Sequence, residues 1–154
     1  MRLEPLLNPD LVIVLDGASD KDAVLRALAD AARKVLPHIS EDDLVTELAD
    51  RERRHSTSTP EGVAFPHAML SEIESTVVVP ALIRPGIHFG SDSHPPCDLI
   101  FGMFGCAERP FSHVRLLARL ARISRGPGAL DRLRSSQDSG ELYSTLVEED
   151  RRHG

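Results

Sequence analysis

Residues 97–105, CDLIFGMFG, are apolar almost without interruption. The run is far too short to cross a bilayer, which takes about 20 residues. It also fails to alternate, so it does not describe a strand with one wet face. A run of this kind is a central strand covered on both sides. LVIVL, 11–15, has the same character, and STVVVPALIR, 75–84, is the strongest strand by residue type. Pro80 within it predicts an edge or a bulge, because proline has no N–H for a ladder. GVAF, 62–65, is strand-like, since the residue before a proline is pushed to extended geometry.

Helical periods separate these runs. SDKDAVLRALADAARKVL places Ala23, Ala27, Leu28, Ala31 and Val35 on one face, with Ser19 as candidate N-cap and Pro37 as the stop. A second helix starts at Ser40 and carries Leu44, Val45, Leu48 and Ala49. FSHVRLLARLARIS is amphipathic, with Ser112 as N-cap and Val114, Leu117, Leu120, Ala121 and Ile123 inward. GPG ends it, and GALDRLRSS and SGELYSTLVEED read as two short helices. HSTSTPEG, 55–62, and RPGIHFGSDSHPP, 84–96, are loops by composition. The order strand, helix, helix, three strands, helices predicts an α/β fold: a single layered domain over residues 1–154, with a mixed sheet flanked by helices.

Charge and cysteine content narrow the function. A formal charge of −6 argues against a nucleic-acid partner, which calls for a basic face. Cys97 and Cys106 form no CxxC pair and read as buried, small apolar side chains. MRLEPLLNPD lacks a basic start followed by a long apolar run, so a cytoplasmic protein without direct membrane insertion is expected. No GxSxG or Walker loop is present.

Of the seven histidines, His38, His88, His94 and His153 fall in polar loops or the tail. His67 and His113 differ. His67 follows Pro66, whose ring fixes one backbone dihedral, at the end of a strand-like run. Two readings stand: a hydrogen-bonded core histidine at a strand end, or one held on a rigid mount for chemistry. His113 lies in the first turn of a helix, where free N–H groups favour an anion. A phosphate could rest between the two rings, with Arg51 neutralising it. A metal site from His67, His113 and His55, with Cys97 or His94, is a further possibility, although the spacing matches no compact zinc pattern.

RERRHSTSTPEGVAFPHA, 51–68, resembles the signature of the fructose/mannitol-type (type 2) EIIA domains of the bacterial phosphotransferase system, a group that includes the nitrogen-regulatory EIIA-like proteins. Arg51, Glu52, Ser56, Thr57, Gly62, Val63, Ala64, Pro66 and His67 keep that pattern and its spacing. ASDKDAVLRALA, CDLIFGMFGCAE and SHVRLLARLARI resemble the family's first helix, central strand and second-histidine helix, so the resemblance spans roughly 5–148. The chain departs at Ser58-Thr59-Pro60-Glu61, where the family carries a glycine-rich Gly-(Ile/Val)-Gly.

The resemblance implies a sheet of about five strands and a phosphohistidine carrier. His67 would accept a phosphoryl group from a phospho-HPr-type protein, or its nitrogen-branch analogue. His113 would hydrogen-bond the phosphoryl oxygens, and Arg51 would approach them. Ser56 and Thr57 could supply hydroxyl or N–H groups. No cofactor is implied beyond the phosphoryl group carried on histidine. The next partner would be an EIIB protein, or regulatory target proteins if the phosphorylation state is a signal.

Overall fold

The computed structural model describes residues 1–90 and 93–153. Five strands, β1 (Ile13–Asp16), β2 (Val63–Ala64), β3 (His67–Leu70), β4 (Val77–Ile87) and β5 (Cys97–Cys106), form one sheet. Its order is β1-β4-β5-β2, with β3 also on β5. β4 and β5 run antiparallel at the centre, while β1 on β4 and β2 and β3 on β5 are parallel.

Both faces of the sheet are covered. Val79, Ala81, Ile83, Ile100 and Phe104 pack on one side against Leu25, Leu28, Leu44 and Leu48 of α1 (Lys21–Ala32) and α2 (Glu41–Arg54). Val78, Leu82, Leu99, Phe101 and Met103 pack on the other against Leu116, Leu120 and Ile123 of α3 (Pro110–Ser124). Leu133 of α4 (Ala129–Arg134) and Leu142 and Leu146 of α5 (Ser139–Arg152) complete that layer. Odd and even positions of β4 and β5 thus feed opposite cores, which is why their sequences are apolar throughout.

Several local expectations are corrected. Asp20, not Ser19, caps α1, its carboxylate accepting from the Ala23 N–H at 2.8 Å. Ser40 does cap α2. The buried stripe of α1 runs through Val24, Leu25, Leu28 and Ala29, and Val35 is exposed. β1 begins only at Ile13 and is a half-buried edge strand, because β4 lies on one side of it alone. Pro80 is not in a bulge: it pairs with Phe101 of β5 and lies one residue before the β1 ladder begins at Ala81, so on its other side β4 is locally an edge. The register break falls later, between Leu82 and Ile87, so β4 extends into the segment expected as a loop. Ser91 and Asp92 of that segment lie outside the described residues.

Candidate functional site

β2 and β3 keep one register on β5: Val63 faces Leu99, Ala64 faces Ile100, and His67 faces Met103. They are a single edge strand interrupted at Phe65-Pro66. The chain does not leave the sheet there, since the Pro66 carbonyl accepts from the Met103 N–H at 2.9 Å. His67 therefore opens β3 and does not sit at a strand's end. Ladder bonds behind it and the proline before it fix its backbone.

Three elements converge on its ring. Arg51, in the last turn of α2, donates from Nε to His67 Nε2 at 2.9 Å, and its Nη1 donates to the His55 carbonyl. On the far side, His67 Nδ1 lies 3.0 Å from the Phe65 carbonyl oxygen. A carbonyl can only accept and a guanidinium can only donate. Both neighbours thus require the same tautomer, with the proton on Nδ1 and a lone pair on Nε2. His113 closes the site from α3, its ring centroid 4.5 Å from that of His67 and tilted by 42°. Gly105 of β5 leaves room chiefly for Met69: a Cβ there would meet Met69 Sδ at 3.0 Å, and would stand in ordinary contact, 3.8 Å, with His113 Cβ.

Electrostatics keep both rings neutral. Burial pushes His113 down to about 4, helped by His67 and Arg51. His67 is lowered chiefly by burial; the Phe65 hydrogen bond opposes this, Arg51 and Arg54 add to it, and Glu52 offsets them. His113 Nδ1 is buried without a hydrogen-bond partner among the described residues.

Ser56 and Thr57 are turned to other tasks. Ser56 Oγ donates to the Phe89 carbonyl at 2.7 Å and lies 2.9 Å from Ser58 Oγ, which in turn lies 2.9 Å from His94 Nδ1. Thr57 Oγ1 donates to Glu52 and accepts from the Phe65 N–H at 3.2 Å. The α3 helix starts at Pro110, with Arg109 at its N-cap, so Ser112 is not the cap. Its inward face is His113, Leu116, Leu120 and Ile123, while Val114 is 57% exposed. Glu52, only 5% exposed, escapes a reading by residue type. The signal available was its place in the Arg-Glu pair, facing inward one residue after Arg51. Among the described residues no group of three or more His, Cys, Asp and Glu gathers to hold a metal. Cys97 and Cys106 are buried free thiols.

The departing loop has a clear geometry. Thr59 N–H donates to the Val63 carbonyl at 2.9 Å, and Gly62 N–H donates to the Thr59 carbonyl at 3.1 Å. Gly62 has φ +79° and neither Pro60 nor Glu61 has positive φ, so Thr59-Pro60-Glu61-Gly62 is a type I turn closed by a left-handed glycine. Pro60 occupies the position where proline is favoured. The turn is packed against β5 by Arg134, which donates to Asp98 at 2.9 Å and to the Glu61 carbonyl.

Residues 5–149 match the family described as "Phosphoenolpyruvate-dependent sugar phosphotransferase system, EIIA 2". The chain belongs to this EIIA type 2 family. A nitrogen regulatory protein of Pseudomonas aeruginosa is 28% identical over 148 residues, covering 96% of each chain. The nitrogen regulatory protein IIA-Ntr of Neisseria meningitidis superposes with a TM-score of 0.81 at 21% identity, covering 94% of this chain and 98% of that one. The mannitol-specific enzyme IIA of Escherichia coli, solved in complex with phosphorylated enzyme IIB, gives 0.77 at 19% identity, covering 92% and 97%. These structures share the EIIA type 2 fold, including the five-stranded mixed sheet flanked by helices. No helix of the described residues is long and apolar enough to cross a membrane.

Proposed function

We propose that this EIIA chain is a phosphohistidine carrier that receives its phosphoryl group on Nε2 of His67 from an HPr-type phosphoprotein and passes it to an EIIB-type partner. The observation that carries the reading is the doubly enforced tautomer of His67, which leaves Nε2 unprotonated beside an arginine. Nε2 attacks phosphorus as the donor's P–N bond breaks, and the donor imidazole keeps that bond's electron pair. No proton has to leave Nε2. The Arg51 Nε–H turns from the nitrogen lone pair to a phosphoryl oxygen, so the charge that arrives is met by a group already in place. His113, neutral and 4.5 Å ring to ring from His67, would present a ring N–H to the same oxygens. Protein partners also suit the exposed apolar residues beside this pair, Phe111 at 71% and Val114 at 57%. The setting would be the cytoplasm, with no cofactor beyond the phosphoryl group.

Incubation with phosphoenolpyruvate, enzyme I and an HPr-type protein should add one acid-labile phosphoryl group to the wild type and none to His67→Ala. No addition on the wild type, or an unchanged addition on the variant, would refute the reading.

A second reading concerns what phosphorylation is for. The full-length similarity to a nitrogen regulatory protein favours a module whose phosphorylation state controls protein partners. Two added negative charges, roughly, are enough to rewrite a local interface. Affinity capture with unphosphorylated and His67-phosphorylated protein separates the readings: transfer to an EIIB supports sugar transport, and state-dependent retention of other proteins supports regulation.

A further inference from the structure

Glu52 is a buried carboxyl group that makes no ion pair among the described residues. Burying such a group is costly unless its partners compensate. Its partners are both on Thr57: the backbone N–H at 3.2 Å to Oε2, and the hydroxyl to Oε1. With its proton directed at Glu52, Thr57 Oγ1 presents a lone pair to the Phe65 N–H at 3.2 Å, which the Thr57 carbonyl also accepts at 3.3 Å. The Phe65 backbone is thereby held at its N–H, one Cα away from its carbonyl. Its carbonyl, two residues before His67, receives the ring Nδ1–H at 3.0 Å. A continuous line of bonds runs from α2, through the 55–62 loop, to the ring of the acceptor histidine. Arg51 and Glu52, adjacent in sequence, thus reach opposite sides of one imidazole: Arg51 touches Nε2 directly, and Glu52 reaches Nδ1 through two relays.

We propose that Glu52 is a positioning residue that fixes the phosphoryl-accepting nitrogen of His67, acting through Thr57 and the Phe65 backbone. The proposal rests on His67 being the acceptor. Without the carboxylate, the Thr57 hydroxyl is free to rotate, the Phe65 N–H keeps only the Thr57 carbonyl, and the Phe65 carbonyl is held less firmly against Nδ1–H. Arg51 then acts alone in selecting the tautomer with a lone pair on Nε2, and the other tautomer gains population.

The test reads the tautomer directly, by imidazole proton–nitrogen correlation spectra of 15N-labelled full-length protein at neutral pH. It reads reactivity with phosphoramidate as the probe. There the Nε2–P bond forms, the P–N bond of phosphoramidate breaks, and ammonia leaves with its electron pair. Wild type should show the Nδ1–H tautomer alone and label at Nε2. Glu52→Ala should show both tautomers, label about tenfold more slowly, and divide the label between the ring nitrogens. Glu52→Gln, whose side-chain carbonyl still accepts the Thr57 hydroxyl, should restore most of the tautomer. Yet it should move the acid limb of labelling to lower pH, because a negative charge that raises His67 is gone while Arg51 and Arg54, which lower it, remain. Thr57→Val should reproduce Glu52→Ala and Thr57→Ser should not, which decides the matter even if Glu52→Ala does not fold. A wild-type tautomer and labelling rate in folded Thr57→Val overturns the proposal. The tautomer is read without phosphoryl transfer, so a wild-type His67 that takes no phosphoryl group from its protein donor counts against the carrier function and leaves the Glu52 result standing.

Discussion

A histidine that gives and takes phosphoryl groups must be neutral when it attacks. For His67 the folded protein favours that state, since burial and Arg51 lower its proton affinity. Its reactivity toward phosphoramidate should therefore be flat around neutrality and fall only on an acid limb below the ordinary histidine value of 6.5. Arg51→Ala removes a charge that lowers His67, so the limb should move up in pH; labelling at neutral pH should also fall by about 100-fold, the usual scale for losing one preorganised charge-stabilising donor. His113 should titrate separately, near 4, in a proton NMR titration. After phosphorylation, the nearby negative charge should raise that value. Arg51, His67 and His113 were legible in the sequence because a signature and its spacing name them. Glu52 belongs to the same signature, but its task was not legible, because a buried carboxyl and its threonine partner acquire a role only when a loop is folded back between them.

At the scale of elements, the turn that replaces the family's glycines shows what a composition argument could not. Pro60 looked restrictive, yet it stands where a type I turn wants proline, and the one left-handed position is still glycine. Gly62→Ala should therefore be the damaging change. It meets the left-handed penalty of about 1–2 kcal/mol, and its Cβ would stand 3.1 Å from both Arg134 Nη2 and the Pro96 carbonyl. Thermal denaturation should report a loss of several degrees, whereas Pro60→Ala should cost less than about 1 kcal/mol. Helix α3 teaches the complementary lesson. Its amphipathic period was readable, but its phase was not, because Val114 and the buried His113 are exchanged relative to hydrophobicity. The site claims the inward position for an imidazole and leaves the valine, with Phe111, facing outward. Phe111→Asp should raise the KM for an HPr-type donor about tenfold, as loss of an apolar contact at an interface does, while labelling by phosphoramidate stays as in wild type.

For the molecule as a whole, the layered α/β class followed from strands that are apolar on both faces. The strand order did not, since β4 and β5 pair as antiparallel neighbours while β2 and β3 join the same β5 from a distant part of the chain. A polar hub ties this assembly together. Asp150 of α5 is fully buried and accepts from the Leu3 and Glu4 N–H groups, from Arg2 and from Arg119 of α3. Burial alone would raise its pKa, but these bonds outweigh it and hold the carboxyl below the ordinary aspartate range. A depressed carboxyl stabilises the fold above its unfolded value and loses that contribution as pH falls through the folded one. Urea midpoints should therefore decline below about pH 4 in wild type. In Asp150→Asn that decline should be blunted, from a starting stability lower by about 3–5 kcal/mol, since Arg119 is left buried without its counter-charge.

The same hub places residues 3 and 150 within one hydrogen bond of each other, and Arg151 reaches Glu4 nearby. The backbone is nearly a closed ring. A short peptide bridging residues 2 and 152, with the chain opened near 125–128, should give a permuted protein that keeps the sheet and the histidine pair, checked by an unchanged His67 tautomer in nitrogen-edited NMR spectra.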